Sequence, residues 1–150
     1  MEVPREGRLL DLGCGYGAIG IVAALISPGL EVVMTDVNPR AVSLAAENAA
    51  RNGAKNARAT KGSLYEPVAG ETFDAIVTNP PISAGMARVV EPIIMGAPAH
   101  LRAGGSLQLV VQSNKGGKTV ASMMEETFGE ANVLAKGSGY RVLTAVKKAA

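Results

Sequence analysis

The stretch Phe73-Asp74-Ala75-Ile76-Val77-Thr78-Asn79-Pro80-Pro81-Ile82 is an apolar run that stops at an asparagine and two prolines. The run predicts a buried strand, which delivers the Asn79 amide to its carboxyl end. Each proline restricts the residue before it and has no N–H to donate, so this corner is stiff and rich in acceptors. Because ligands of open α/β sheets bind at the carboxyl ends of the strands, the corner is the first candidate site.

Strands and helices alternate on both sides of this run. Short apolar segments predict further strands at 8–12, 31–35, 57–60, 107–112, 132–136 and 140–146. Helices are predicted at 18–26, 39–52, 84–100 and 118–128, with Asn38 as the cap of the second and with the third kinked or split by Pro92 and Pro98. The glycine-rich segment 101–105 predicts a loop.

This alternation predicts an α/β fold with a mostly parallel sheet and helices on both faces. A closing hairpin across Gly137-Ser138-Gly139 adds one antiparallel strand at or near the edge, for seven strands in all. At 150 residues we expect a single domain over 1–150.

Composition limits the function classes. The net charge is +2, which provides no polybasic nucleic-acid tail, although folding can still assemble a basic surface. Cys14 is the single cysteine, which excludes an intrachain disulfide and a cysteine-rich metal site. No apolar run approaches the roughly 20 residues that span a bilayer, and the first residues do not resemble a signal peptide. We therefore expect a cytoplasmic protein with no metal and no membrane partner.

A glycine loop follows the first predicted strand. Gly13, Gly15 and Gly17 let the backbone turn sharply and approach a ligand, and Asp36 ends the second strand, where a carboxylate can accept both hydroxyls of a ribose. Together they predict an adenosine-bearing cofactor. The spacing Gly15-x-Gly17-x-x-Gly20 also satisfies the dinucleotide fingerprint, so an NAD(P)-binding oxidoreductase is an alternative.

Asp11 favours a methyl donor over a dinucleotide. It lies near the end of the first strand, where a carboxylate would approach an ammonium group and repel a pyrophosphate. Cys14 is interpreted as a small side chain of the loop, since no clear base accompanies it as a nucleophile would require.

With Asp11-Leu12-Gly13-Cys14-Gly15-Tyr16-Gly17, Asp36 and Asn79-Pro80-Pro81-Ile82 in this order, the chain resembles the class I S-adenosylmethionine-dependent methyltransferases. It looks most like the small-domain ribosomal RNA guanine-N2 methyltransferases, whose pattern matches Ile82, Gly85, Lys115-Gly116 and Gly139-Tyr140. The resemblance covers nearly the whole chain and implies the Rossmann-like methyltransferase fold.

The resemblance also implies a cofactor site and a target site. Cofactor contacts would come from a set that lies at the ends of the first three strands and at the asparagine: Asp11, Gly13, Cys14, Gly15, Gly17, Asp36, Val37, Gly62, Ser63, Leu64 and Asn79. The target would be held by Asn79, Pro80, Pro81 and Ile82. Ser63 departs from the family pattern, in which an acid often accepts from the adenine amino group, but a hydroxyl can also accept.

The Asn-Pro-Pro corner suits a planar nitrogen. An exocyclic amine is a poor nucleophile because its lone pair is delocalised into the ring, and two strong acceptors on its protons favour a pyramidal nitrogen. The Asn79 side-chain oxygen and the Pro80 carbonyl are such acceptors. Ile82 offers an apolar face but lacks the aromatic stack that the similar adenine-directed enzymes usually have, so the resemblance implies guanine rather than adenine.

The predicted function is methyl transfer from S-adenosylmethionine to a nucleobase amino group, guanine N2 in ribosomal RNA, with RNA or a ribosomal subunit as partner. Adenine N6 or a protein glutamine amide is an alternative target. Related domains have several tens of residues before the glycine strand and this sequence has 1–7, so a non-catalytic binding module is a further alternative. The sequence does not determine the oligomeric state.

Overall fold

The computed structural model describes residues 1–80, 86–112 and 116–149. Its strands are β1 (Glu6–Leu12), β2 (Gly29–Asp36), β3 (Ala57–Lys61), β4 (Phe73–Thr78), β5 (Leu101–Gln112), β6 (Asn132–Gly137) and β7 (Tyr140–Val146). They form a seven-stranded sheet in the order β3-β2-β1-β4-β5-β7-β6.

The sheet has the predicted mixture of directions. β1 to β5 pair in parallel, whereas β7 pairs antiparallel with both β5 and β6. The predicted hairpin is therefore present, and β7 lies between β5 and the edge strand β6. With the helices described next, this confirms the Rossmann-like α/β fold predicted from the sequence.

The helices are α1 (Ala18–Ile26), α2 (Pro39–Arg51), α3 (Glu91–Gly96) and α4 (Gly117–Phe128), with 3₁₀ turns at Glu66–Val68 and Ala97–His100. α2 begins as predicted, because the Asn38 side chain accepts a hydrogen bond of 2.9 Å from the Arg40 N–H and a proline occupies the first turn. In the described parts of the chain, no helix has both the length and the apolar character needed to cross a membrane.

The stretch predicted as one helix at 84–100 is a succession of helical turns. A π-helical turn at Met86–Val90 passes into α3, which passes into the 3₁₀ turn at Ala97–His100. Pro92 and Pro98 each lie in the first turn of a segment, where the missing N–H is not needed. The two prolines therefore divide the stretch by starting new segments.

Two apolar clusters cover the two faces of the sheet. Successive residues of β1 alternate between them: Leu9 packs with α1 and α2, whereas Leu10 and Leu12 pack with α3 and α4. Each of these leucines is 2% exposed or less. Helices on both faces were predicted from the near-continuous apolar strands, and the structure confirms them.

The loop predicted at 101–105 is wrong. β5 already begins at Leu101, which pairs with Phe73, and the next register pair is Ala75 with Ser106. The glycines there accommodate an irregularity in the ladder, since a Cβ on Gly105 would lie 3.0 Å from the Asp74 carbonyl oxygen. Glycines that resemble a loop signal are in fact a bulge inside a long strand.

Asn56 ties the amino end of β3 to the neighbouring connection. Its side-chain nitrogen lies within hydrogen-bond distance of three carbonyl oxygens, those of Ala24 (3.1 Å), Ser27 (3.1 Å) and Leu30 (2.7 Å). The contacts join the end of α1 to the beginning of β2.

Substitution Asn56→Ala is expected to lower the free energy of unfolding by about 2 kcal/mol, because it leaves partly buried carbonyl groups without their donor. Urea denaturation measures this loss. Asn52→Ala is the matched control, since the Asn52 amide makes one exposed contact of 2.7 Å to the Asn48 carbonyl, and its expected cost is below about 1 kcal/mol. Equal costs for the two variants would contradict the role given to Asn56.

Candidate functional site at the carboxyl edge of the sheet

The site lies where β1, β2 and β4 end. β1 lies between β2 and β4. From β1 the chain continues to β2 and β3 on one side of the sheet, and it then returns to β4 on the other side of β1. Such a switch point opens a crevice outside the carboxyl ends of the strands. The Thr78 hydroxyl donates a hydrogen bond of 2.8 Å to the Leu12 carbonyl and fixes the end of β4 against the end of β1.

A cavity of about 480 Å³ occupies this crevice. Its volume lies in the range of small-molecule sites, roughly 300 to 1,000 Å³. The residues of the wall include apolar ones, one carboxylate, one guanidinium, one asparagine amide and three hydroxyl residues. They are Leu12, Gly13, Thr35, Asp36, Val37, Gly62, Ser63, Leu64, Thr78, Asn79, Pro80, Arg88, Val89 and Ile93.

Asp36 organises the loops around the cavity. One of its carboxylate oxygens accepts from the Gly15 N–H at 2.9 Å, and the other accepts from the Asn38 N–H at 2.9 Å. Its backbone carbonyl accepts from the Gly62 N–H at 3.0 Å. A single residue at the end of β2 thus holds the glycine loop, the start of α2 and the loop after β3.

The glycine loop has the conformation that the sequence predicts. Gly13, Gly15 and Gly17 have φ angles of 69°, 57° and 97°, a region that residues with a side chain rarely adopt. The Cys14 N–H donates to the Thr35 carbonyl at 2.8 Å, so the loop is also tied to β2. Of the three glycines, the structure places Gly13 in the cavity wall.

Asp11 lies beneath the loop and does not line the cavity. It is 1% exposed, and its carboxylate accepts a hydrogen bond of 2.9 Å from the Gly20 N–H of α1. Alternation along β1 explains the position, because Asp11 shares the face of Leu9, toward α1 and α2. Burial raises the pKa of Asp11 to about 7, against the lowering effect of the Gly20 N–H, and the Asp36 charge raises it further.

Cys14 has the properties of an inert thiol. Burial, together with the charges of Asp11 and Asp36, raises its pKa to about 12. Because the thiolate is the reactive form, this environment fits the interpretation of Cys14 as a small loop side chain.

The corner after β4 contributes two residues to the wall of the cavity. Asn79 is exposed and Pro80 is buried, and both line the wall. Within the described part of the chain, the Asn79 side chain has no hydrogen-bond partner, which leaves its amide oxygen available to a ligand. Pro81, Ile82, Gly85 and Lys115 lie outside the described residues.

The structure brings together eight of the predicted site residues and separates others. The cavity wall contains Gly13, Asp36, Val37, Gly62, Ser63, Leu64, Asn79 and Pro80, whereas Asp11, Cys14, Gly15 and Gly17 are not part of it. Six further residues of the wall were not predicted as site residues from the sequence: Leu12, Thr35, Thr78, Arg88, Val89 and Ile93. Leu12, Thr35 and Thr78 are the last residues of predicted strands, and their position at the strand ends could have identified them. Val89 and Ile93 are four residues apart in a predicted helix, so their shared helix face is a similar signal.

Comparison with known proteins assigns a family to this architecture. The family model described as methyltransferase small domain matches residues 1–144. The uncharacterized protein YbxB of Bacillus subtilis is 41% identical over 147 residues, which are 97% of this chain and 73% of that protein. Ribosomal RNA small subunit methyltransferase C of Hamiltonella defensa is 33% identical over 96% of this chain and 42% of its own length.

Solved structures agree with these relatives. The 16S rRNA N2 G1207 methyltransferase RsmC of Thermus thermophilus, solved in complex with AdoMet and guanosine, superposes with a TM-score of 0.83. It is 34% identical and is matched over 95% of this chain and 38% of its own. The chain therefore spans less than half the length of the methyltransferases named here.

Stability is expected to fall as the pH rises through the range in which Asp11 ionises. An unfolded aspartate has a pKa of about 3.9, and the folded value is about 7, so the native state holds a proton that the unfolded state has lost. The contribution of protonated Asp11 to the free energy of unfolding is therefore complete below about pH 4, and it is lost as the pH rises toward 7 and above.

The variant Asp11→Asn keeps an oxygen for the Gly20 N–H and removes the titration. Urea denaturation at pH 5.5 and pH 8.0 should show a smaller loss of stability for Asp11→Asn than for the wild type. The same difference in both proteins would contradict the assignment of this pH dependence to Asp11.

Proposed function

Since the chain belongs to the methyltransferase small domain family, we propose that it moves a methyl group from S-adenosylmethionine to an exocyclic amino group of a nucleobase, guanine N2 in ribosomal RNA. The observation that carries the proposal is that Asp36, Asn79 and Pro80 all line one cavity. The relatives that are named as ribosomal RNA methyltransferases support the RNA target.

The composition of the cavity wall fits S-adenosylmethionine. Asp36 keeps lone pairs for the two ribose hydroxyls, because a carboxylate offers about four acceptor positions and two are used by backbone N–H groups. Val37, Leu64 and Ile93 supply apolar surface for the adenine, and the Ser63 hydroxyl is available to its amino group. The exposed backbone at Gly13 accommodates the methionine end.

When bound, S-adenosylmethionine supplies an electrophilic methyl group on a positively charged sulfur. The Asn79 side-chain oxygen and the Pro80 carbonyl accept the two protons of the target amine, which makes its lone pair available for attack. The bound donor would supply its methyl group to that lone pair, and the electron pair of the broken C–S bond would stay on its sulfur. The nitrogen then releases one proton along the hydrogen bond to an acceptor and from there to water.

Positioning provides most of the acceleration in this mechanism. The target nitrogen and the methyl group need to be in line, and holding them so converts a bimolecular encounter into a step within one complex. The wall is rigid at the relevant place, because Thr78 is fixed to Leu12 and Pro80 has a restricted backbone. Neither a metal ion nor a covalent enzyme intermediate is needed for this route.

Asn79→Ala is expected to lower the rate of methyl transfer by about 100-fold, because the variant loses one of the two acceptors that act on the amine. Incorporation of labelled methyl groups from S-adenosylmethionine into unmethylated small-subunit ribosomal RNA measures the rate. Asn52→Ala, in the exposed C-cap of α2, is the matched asparagine control and should keep the wild-type rate.

Digestion of the product to nucleosides and mass spectrometry should identify N2-methylguanosine. A wild-type rate for Asn79→Ala would contradict the role of the corner. N6-methyladenosine as the product would contradict guanine as the target.

A further inference from the structure

Leu64 has an unusual backbone conformation in the wall of the cavity. Its φ angle is 50°, in the left-handed region, and it lines the cavity next to Ser63. Among the described residues one other non-glycine residue, Ser138, has a positive φ, and it lies in the turn between β6 and β7. A branched, apolar residue is a poor candidate for this conformation, so surrounding contacts must hold Leu64 there.

The backbone on both sides of Leu64 is fixed. Before it, the Gly62 N–H is bonded to the Asp36 carbonyl at 3.0 Å, and the ring of Pro67 occupies the space where a Gly62 side chain would be. After it, the Glu66 N–H donates to the Ser63 carbonyl at 3.0 Å, which closes a turn around Leu64. These two hydrogen bonds fix the ends of the turn, and the only strand that they reach is β2.

Tyr65 connects the turn to α3. Its hydroxyl donates a hydrogen bond of 2.7 Å to the carbonyl of Ile93, which itself lines the cavity. That carbonyl is available because the Ala97 N–H bonds to Ile94, three residues back, where α3 ends. Burial raises the pKa of the Tyr65 hydroxyl, so the group remains a donor at all ordinary pH values.

The ring of Tyr65 is fixed on two further sides. It stacks on the ring of His100, with centroids 4.5 Å apart and planes within 4°. It also lies against Gly96, where an added Cβ would be 2.9 Å from the tyrosine ring. His100 is held in turn, because its Nδ1 lies 2.9 Å from the Glu71 carbonyl.

We propose that Tyr65 is a positioning residue that holds Leu64 in the left-handed conformation and so preforms the apolar seat for the purine of the cofactor. The inference rests on the proposed function, since it assigns the purine to the wall that contains Leu64 and Val37. The free-energy cost of the strained Leu64 backbone is included in the folding of the protein, so cofactor binding does not have to supply it. The cofactor therefore binds to a wall that already has its final shape. The Ile93 contact couples this wall to α3.

A purely structural role would have different consequences. If Tyr65 only filled the space between α3 and the turn before β5, removal of its hydroxyl would lower stability and leave cofactor affinity unchanged below the unfolding temperature. A positioning role predicts a loss of affinity that is confined to the adenosine part of the ligand. Cofactor affinity, dissected by ligand fragment, therefore distinguishes the two roles.

The first variant is Tyr65→Phe, which keeps the ring and the stack and removes the bond to Ile93. Calorimetry should show dissociation constants for S-adenosylhomocysteine and for adenosine that are both raised about five- to tenfold, the effect of one hydrogen bond. The KM for S-adenosylmethionine should rise while kcat and the KM for RNA stay at wild-type values. Tyr140→Phe is the matched control, because it removes the Gln112 contact of a half-exposed tyrosine on β7 and should leave both dissociation constants unchanged.

The second test uses Leu64→Gly, since glycine adopts the left-handed region without strain. The single variant loses the apolar seat and binds S-adenosylhomocysteine more weakly. In this background the addition of Tyr65→Phe should change the dissociation constant by less than about twofold, because no strained residue remains to be held.

An equal effect of Tyr65→Phe in both backgrounds would overturn the inference, as would a lower unfolding temperature with unchanged affinity. Absence of S-adenosylhomocysteine binding to the wild type would overturn the proposed function and the inference with it. Binding by the wild type with no change in Tyr65→Phe would overturn the inference alone.

Discussion

The carboxylate of Asp36 is the interaction on which the site depends. It joins two segments that are far apart in sequence, the glycine loop at Gly15 and the start of α2 at Asn38, through backbone N–H groups at 2.9 Å each. Acceptor oxygens at the end of β2 are needed for this arrangement, because the turning backbone leaves these N–H groups without partners in the sheet. The negative charge also acts on its surroundings, since it helps to raise the pKa values of Asp11 and Cys14.

Strand order then decides what the carboxylate faces. Because β4 follows β3 in the chain but lies on the other side of β1, the end of β4 comes to the same crevice as the end of β2. Asn79 and Pro80 therefore share one cavity with Asp36, although 43 positions separate Asp36 from Asn79 in the sequence. In the proposed reaction this juxtaposition brings the target amine to the methyl donor.

The sequence predicted the elements whose signals are local. Apolar runs located the strands, and the pair Asn38-Pro39 located the start of α2, because capping and proline preferences depend on a few neighbouring residues. The long β5 was misjudged, since a bulge at Gly104-Gly105 depends on the partner strand and not on the glycines alone. The glycine loop and the acceptor corner were predicted from residue types, and their placement in one cavity follows from the sheet.

What sequence reasoning missed in the site is tertiary. Asp11 was expected to approach a ligand, but the pleat of β1 directs it under the loop toward α1. Arg88 reaches the cavity through the turn before α3, for which its neighbours in sequence give no signal. The positive φ of Leu64 was not predicted either, and Tyr65, the proposed positioning residue beside it, has its partners Ile93 and His100 far away in the sequence.

The most direct test of this account is a crystal structure of the protein with S-adenosylhomocysteine. The account predicts the nucleoside in the crevice at the carboxyl edge, with both ribose hydroxyls within about 3 Å of the Asp36 carboxylate and the adenine against Val37 and Leu64. The homocysteine sulfur would point toward Asn79 and Pro80. A ligand bound elsewhere, or one bound in the crevice with its ribose away from Asp36, would contradict the account.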